Sequence, residues 1–240
     1  MKLKLSSLFA VFCLTSLHSF SQQNLFNVPS SEITLKNKFF FQQQFNVGNV
    51  LQSNTNICYG LEHEFEIGVN LIGLVYNYQS ILTNETLGEG PISPSSMFTI
   101  QKLFKVSKNT HLGIGAEIGS NFFVRHSKNM FFTNFIYFNS NNSFLNERLH
   151  LIAGIYYANK AYQGADNGLG VMTGCDFKLS NKIHLVGDWI SGNNYIGLGV
   201  LGGQYFVHPQ IPLSLGIQIP NNTQKNSYGL VFEFTYLPKT

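Results

Sequence analysis

The chain has 240 residues, a formal net charge of +3 and a charged fraction of 11%, less than half of the roughly 25% usual in soluble proteins. It holds 22 phenylalanines, 11 tyrosines and 22 glycines. Beyond residue 21 no stretch approaches the about 18 apolar residues of a membrane-spanning helix, and no basic cluster or nucleic-acid motif appears. This composition favours a membrane β-barrel over a soluble fold and argues against a nucleic-acid partner.

Residues 1–21 have the layout of a secretory signal peptide. Two lysines precede an apolar stretch over residues 5–17, and Ser19 and Ser21 place small residues before a cleavage site at Gln22. The apolar stretch is shorter than the about 20 residues that a membrane-spanning helix needs. The sequence therefore predicts export, with cleavage near Ser21/Gln22.

Apolar and polar residues alternate with a period of two along most of the remaining chain. Within residues 111–122, Leu112, Ile114 and Ile118 fall on one face of a strand, whereas Glu117 and three glycines fall on the other. About twelve such segments are predicted, near 37–47, 51–60, 64–77, 96–105, 110–121, 129–139, 147–158, 169–179, 182–190, 195–206, 211–219 and 227–237. Their lengths suit the roughly 9 to 11 tilted residues that cross a bilayer.

These segments predict an all-β fold, a closed antiparallel transmembrane β-barrel over residues 37–240, with about 12 strands and a range of about 10 to 14. If the first strand runs outward, connections such as 78–95 and 159–168 face outside and are long. The opposite connections, such as 61–63 and 106–109, are short, with residues 140–146 as a medium-length exception. Residues 22–36 are expected to form either a periplasmic tail or a plug inside the lumen.

In a membrane barrel one face of each strand meets lipid and the other faces the lumen. A charge facing lipid at the midplane costs about 2 to 4 kcal/mol, so the acidic side chains are assigned to the lumen. The lumen-lining candidates are Glu64, Glu66, Asn70, Glu117, Asp176, Asp188 and Glu233. This set predicts either a cation-preferring lumen or a structural network neutralised by Lys102, Lys178 and His184.

Three runs of sequence carry a resemblance to a known group of proteins. They are Phe39 to Asn46 (FFFQQQFN), Gly187 to Gly192 (GDWISG) and Val231 to Tyr236 (VFEFTY). In style they resemble the small, mostly uncharacterised outer-membrane β-barrel proteins of Bacteroidota-type Gram-negative bacteria. The resemblance covers the whole mature chain and implies a barrel fold and an outer-membrane location, but it carries over no catalytic residue.

The histidines are not in metal-binding spacing, and the sequence has no nucleophile or phosphate-binding motif, so it predicts no catalytic, cofactor-binding or metal-binding residues. The candidates for a lipid-modifying hydrolase would be His126 with Ser127 or Ser120, together with Asp166. Export permits a disulfide between Cys58 and Cys175, and two unpaired thiols are an equal alternative.

The leading functional prediction is a narrow outer-membrane pore or transporter for small solutes. The alternative is a non-conducting structural or binding barrel whose outer loops contact surface partners, and a lipid-modifying hydrolase ranks third. The expected partners are the lipid bilayer and the barrel-insertion machinery. The sequence indicates neither the solute nor the oligomeric state.

Overall fold

The computed structural model describes residues 24–76, 93–121, 131–164 and 168–238. The strands are β1 (Phe39–Val47), β2 (Leu51–Gly60), β3 (Phe65–Tyr76), β4 (Ser95–Lys105), β5 (Thr110–Ser120), β6 (Phe132–Phe144), β7 (Leu149–Ala158), β8 (Gly168–Lys178), β9 (Ile183–Ile190), β10 (Leu198–His208), β11 (Ile211–Pro220) and β12 (Gly229–Tyr236). A short helix, α1 (Lys160–Gln163), lies between β7 and β8. Among the described residues, no helix is long and apolar enough to cross a membrane.

The twelve strands form one closed antiparallel barrel in which each strand pairs with its neighbours in the chain. The barrel closes where β1 pairs with β12, from Phe41 opposite Tyr236 to Val47 opposite Leu230. Closure leaves no strand edge, so the backbone polar groups of the wall find partners within the wall. The predicted fold and strand number are confirmed.

The period-two pattern separates the two faces of the wall. In β12, Leu230, Phe232 and Phe234 are exposed on the outside, whereas Val231 and Glu233 are buried on the inside. Each strand places successive side chains on opposite faces, so one register fixes the environment of every residue in it. The outer surface is accordingly apolar, and the polar side chains collect in the lumen.

Strand β6 is longer than predicted and corrects the expected connection at 140–146. The strand continues to Phe144, and the turn to β7 occupies only residues 145–148, with Leu145, Asn146 and Glu147 at positive φ. The polar run after Phe138 resembles a loop in sequence. It is strand because its backbone pairs with β5 and with β7, and its inward Asn139 and Asn141 hydrogen-bond to the segment that precedes β1.

The two ends of the barrel differ in the length of their connections. At one end, here called the short-turn end, the connections are residues 61–64, 106–109, 145–148, 179–182 and 209–210. The other end, here called the long-loop end, carries residues 77–94, 121–131, 159–167, 191–197 and 221–228, together with the tight turn at 48–50. The entry to β1 and the exit from β12 both lie at the short-turn end, where Asn37 N donates to Gly60 O at 2.8 Å and Leu237 N donates to Gln210 O at 2.8 Å.

Residues 24–36, here called the inner segment, precede β1. Residues 24–34 lie inside the barrel, and Leu35 and Lys36 are exposed at the short-turn end. Leu25, Phe26 and Val28 are buried, with Val28 0% exposed. They form one apolar core with inward side chains of the wall, among them Phe135, Ile152, Met172, Val186, Val200 and Val231. The middle of the barrel is therefore packed like the core of a soluble protein. Ordering the inner segment costs conformational entropy, and the burial of its apolar side chains offsets that cost.

Candidate functional site in the lumen

Five acidic side chains point into the barrel from five different strands. They are Glu66 on β3, Glu117 on β5, Asp176 on β8, Asp188 on β9 and Glu233 on β12. Within the described strands, the lysines of inward parity are Lys105 and Lys178, and each is the last residue of its strand. The interior between the two rims thus carries carboxylates without a lysine or arginine among its described wall residues.

Two of these carboxylates hold the inner segment. Asp188 Oδ2 accepts hydrogen bonds from the backbone N–H groups of Asn27 and of Val28, the second at 2.9 Å. Glu66 Oε2 accepts one from the backbone N–H of Thr34 at 2.6 Å. Hydrogen bonds to charged groups contribute roughly 1.5 to 3 kcal/mol each, so these two residues anchor the segment near both of its ends.

Amide side chains supply further contacts to the inner segment. Asn139 Nδ2 donates to Pro29 O, and Asn139 Oδ1 accepts from the Ser31 hydroxyl. Gln101 Nε2 donates to Glu32 O at 3.1 Å, and Asn141 Nδ2 donates to Glu32 Oε1 at 3.2 Å. The segment is therefore held from β3, β4, β6 and β9, on both sides of the lumen.

Two of the remaining three carboxylates have partners in the wall itself. Asp176 lies 2.9 Å from Nδ1 of His184, and both side chains are buried. Glu233 Oε1 accepts a hydrogen bond from the Ser214 hydroxyl at 3.3 Å. These contacts link neighbouring strands of the wall on the short-turn side of the apolar core. They support the prediction of a structural network, rather than a cation-preferring lumen, for this part of the barrel.

Glu64 and Lys102 lie apart from the acidic group to which the sequence assigned them. Glu64 is in the β2–β3 turn at the short-turn end, where its Oε1 lies 2.7 Å from Nζ of Lys105 and both side chains are solvated. Lys102 points outward, with its Nζ 4.3 Å from the centre of the Phe65 ring. Glu64 is outside the lumen because it lies in a turn. Lys102 does not neutralise the acidic side chains of the lumen because its strand position faces outward.

A cavity of about 450 Å³, here called the vestibule, occupies the lumen at the long-loop end. Asn24 and Asn27 of the inner segment contribute to its lining, as do Asn226 and Ser227 from the β11–β12 connection. Its volume lies within the roughly 300 to 1,000 Å³ of sites that bind small molecules. The vestibule is thus a preformed concave site bounded on one side by the inner segment.

One wall of the vestibule is built almost wholly from amides. The inward positions of β1 and the facing positions of β2 form three cross-strand pairs of amides, here called the amide wall: Gln42 with Asn56, Gln44 with Asn54, and Asn46 with Gln52. Each amide offers a carbonyl acceptor and two N–H donors without a net charge. Asn70 on β3 pairs with Asn56 and extends this row by one strand.

Aromatic rings line another part of the vestibule. The Phe135 ring lies 5.3 Å from the Tyr162 ring at an interplanar angle of 29°, a stacked arrangement. Helix α1 presents Tyr162, and the Asn159 side chain caps the helix by accepting from Tyr162 N at 3.1 Å. Burial raises the pKa of Tyr162 well above its usual value of 10.0, so its hydroxyl is neutral at physiological pH.

The candidates for hydrolase chemistry are not assembled by the described residues. His126, Ser127 and Asp166 lie outside the part of the chain that the structure describes. Ser120 is described, and its hydroxyl donates to Asn121 Oδ1 at 3.2 Å. Within the described ranges, no group of histidine, cysteine and acidic residues is arranged to hold a metal ion.

The two cysteines of the described chain are free and face opposite sides of the wall. Cys58 is buried in the lumen, where its thiol donates to Asn56 Oδ1 at 3.1 Å. Cys175 shares the outward parity of Val171 and Thr173 on β8. A disulfide between them would have to pass through the barrel wall, so the unpaired alternative describes this structure.

The amide wall is the part of the site that the sequence prediction missed, because that prediction was built mainly on acidic residues. The signal was available, because Gln42, Gln44 and Asn46 share one parity and Asn54 and Asn56 share the facing parity. Apart from Asn70, these amides are not among the predicted lumen residues, because amides carry no charge and resemble loop composition. Their repetition at alternate positions of two neighbouring strands marks a polar interior surface.

Comparison with solved structures shows where this fold occurs. The KdgM porin matches with a TM-score of 0.58 and 8% sequence identity over 83% of this chain and 99% of that chain. A structure described as the KdgM porin in complex with disordered oligogalacturonate gives a TM-score of 0.57 and 6% identity, over 83% and 99%. The NanC porin gives a TM-score of 0.54 and 9% identity, over 85% and 100%.

In the sequence comparisons, no protein-family model and no curated protein matches the chain. At identities this low, the structural likeness concerns the fold. The chain has the fold of these porins.

Proposed function

We propose that this protein is an outer-membrane pore for small polar solutes and that the inner segment closes it until it is displaced. The observation that carries the proposal is the packing of the inner segment inside a closed porin-like barrel. The segment lies between the solvent-accessible vestibule and the polar part of the lumen toward the short-turn end. The contacts that hold the segment include an apolar cluster and hydrogen bonds to Asp188, Glu66 and three amides.

The charge of the lumen indicates which solutes the pore would exclude. One of the similar porins is described in complex with oligogalacturonate, an acidic sugar. In this chain the described strands present inward carboxylates from five strands, and the inward lysines of those strands are confined to the short-turn rim, whereas Lys225 lines the vestibule from the β11–β12 connection. Like charges repel in a low-dielectric lumen, so an acidic oligosaccharide is a poor solute for this barrel.

A non-conducting binding barrel is the second candidate, and one observation favours it. Leu25, Phe26 and Val28 are almost completely buried, and burying such side chains contributes about 1.5 to 3 kcal/mol each. A segment held this firmly could be a permanent part of the core. The vestibule and the outer loops would then bind ligands or surface partners without passage through the wall.

The proposed setting is the outer membrane of a Gram-negative bacterium, after removal of a signal peptide near Ser21/Gln22. The apolar outer face and the contrast between short turns and long loops support this setting. In it the short-turn end faces the periplasm, and the barrel-insertion machinery and lipid are the partners. The Bacteroidota-type origin that the sequence style suggests is part of the same proposal.

Solute uptake into liposomes separates the two candidates. The mature chain and an Asp188→Asn variant would be reconstituted, and swelling in erythritol, a small uncharged solute, would be followed by light scattering. A gated pore predicts slow swelling for the mature chain and swelling about tenfold faster for Asp188→Asn, because the anchoring hydrogen bonds are weakened. Asp176→Asn, which alters a carboxylate that does not touch the inner segment, is the matched control. Absence of swelling from every correctly folded variant would refute the pore and favour the binding barrel.

A further inference from the structure

The vestibule contains buried polar atoms that have no partner among the described residues. They are Gln42 Nε2, Asn70 Oδ1 and Glu117 Oε2, from three strands that contribute to one cavity lining. The side chains of Gln42 and Asn70 are only 5% and 7% exposed. Leaving a buried donor or acceptor unsatisfied costs about 1 to 3 kcal/mol, so these atoms mark a place where a polar ligand would gain affinity.

The three atoms lie along one stretch of the wall, from β1 to β5. Gln42 faces Asn56 across β1 and β2, and Asn56 faces Asn70 across β2 and β3, which places three amides in one row. Glu117 of β5 interacts with Asn70 and extends the row. One donor and two acceptors are therefore spread along this row. A ligand with several hydroxyls, each able to donate and accept, would satisfy them.

The rest of the lining favours an uncharged ligand with an apolar face. The amide wall offers many neutral donors and acceptors, and the half-buried Tyr162 ring, stacked on the buried Phe135 ring of β6, offers an apolar surface across the vestibule. A saccharide ring has both properties, because its hydroxyls project from the rim and its C–H groups cover a face. The described lining holds one acidic residue, Glu117, and one basic residue, Lys225, so it carries no net charge that would favour an anionic sugar.

We propose that the vestibule is a binding site for uncharged saccharides, with Gln42, Asn70 and Glu117 binding hydroxyls and Tyr162 packing against the ring. The inference deepens the proposed function, since it names the class of solute for the same lumen. Binding itself requires only the vestibule, and displacement of the inner segment is not part of it.

The test is equilibrium binding to the purified barrel in detergent, measured by calorimetry with four probes. Three are uncharged trisaccharides (maltotriose, cellotriose and N,N′,N″-triacetylchitotriose), and the fourth is trigalacturonate, which has the same number of sugar rings and carries carboxylates. We expect at least one uncharged probe to bind about tenfold or more tightly than trigalacturonate. No binding by the three uncharged probes, or equal binding by trigalacturonate, would overturn the inference.

Gln42 and Gln43 provide a matched pair of variants. They are neighbours on β1, but Gln42 faces the vestibule, whereas the Gln43 side chain faces outward, where its Oε1 accepts from the Thr55 hydroxyl at 2.7 Å. Gln42→Leu should weaken binding about three- to tenfold, the loss expected for one hydrogen bond, and Gln43→Leu should leave it unchanged. Equal effects from the two variants would contradict the assigned site.

Heat-modifiable migration on gels would verify that both variants fold. Saccharide binding without solute uptake into liposomes would uphold this inference and refute the pore. Solute uptake without saccharide binding would uphold the pore and refute this inference.

Discussion

Val28 donates its backbone N–H to the Asp188 carboxylate at 2.9 Å, across 160 positions of sequence. Val28 belongs to the inner segment, and Asp188 belongs to the middle of β9. The contact joins the part of the chain that precedes the barrel to the wall that the barrel builds. Because it combines a buried charge with a backbone donor, removing the charge should loosen the segment without disturbing the wall.

Asp188→Asn is expected to increase the undocked fraction of the inner segment about ten- to hundredfold. The variant keeps the size of the side chain but loses charge-assisted hydrogen bonds worth roughly 1.5 to 3 kcal/mol each. Hydrogen exchange of the Asn27 and Val28 amides measures this directly, and both should lose protection. Asp176→Asn should leave that protection unchanged, since Asp176 contacts His184. Equal protection in wild type and Asp188→Asn would contradict the anchoring role.

Gly216→Val is expected to disturb the inner segment through steric overlap. A Cβ at Gly216 would lie 2.9 Å from Cζ of the Phe26 ring and 2.5 Å from Cγ1 of Val200. Gly203→Val is the control, because the Gly203 Cβ would meet nothing closer than a backbone oxygen at 3.6 Å. Limited proteolysis should cut the inner segment faster in Gly216→Val than in Gly203→Val. Identical cleavage rates would show that the segment does not pack against β11.

Phe232→Lys and Glu233→Gln test which face of β12 meets lipid. Phe232 is outward and exposed, and a lysine there should destabilise the inserted barrel by about 2 to 4 kcal/mol. The neighbouring Glu233 is buried in the lumen, and its conversion to glutamine should have a much smaller effect. Urea unfolding from lipid vesicles measures both. A larger loss for Glu233→Gln would reverse the assignment of the two faces.

The two thiols should be free and unequal in reactivity. Cys58 is 3% exposed inside the barrel, and Cys175 lies on the outward face. Intact protein in vesicles should resist a water-soluble maleimide at Cys58, and denatured protein should take up label at both positions without prior reduction. Labelling that appears only after reduction would reveal a disulfide.

The sequence was sufficient for the barrel, since strict alternation in segments such as β5 and β12 determines both strand and face. It ended β6 too early, at residue 139, because the residues from Ser140 to Ser143 have the composition of a loop. Backbone pairing with β5 and β7 carries the strand to Phe144, and the inward Asn139 and Asn141 bond to the inner segment. Contacts between positions more than a hundred residues apart leave no local pattern. For the same reason, the parity of Asp188 indicated the lumen, while its partners in the inner segment emerged only from the fold.

Closure of the pore by residues 24–36 is the central claim, and single-channel current across a planar bilayer tests it most directly. The mature chain would be compared with a variant that lacks residues 24–34, after heat-modifiable migration has shown that both barrels are folded. The account predicts a mature chain that is mostly closed and a shortened chain with sustained conductance steps. A folded, shortened barrel that carries no current, or currents that are the same for both chains, would contradict it.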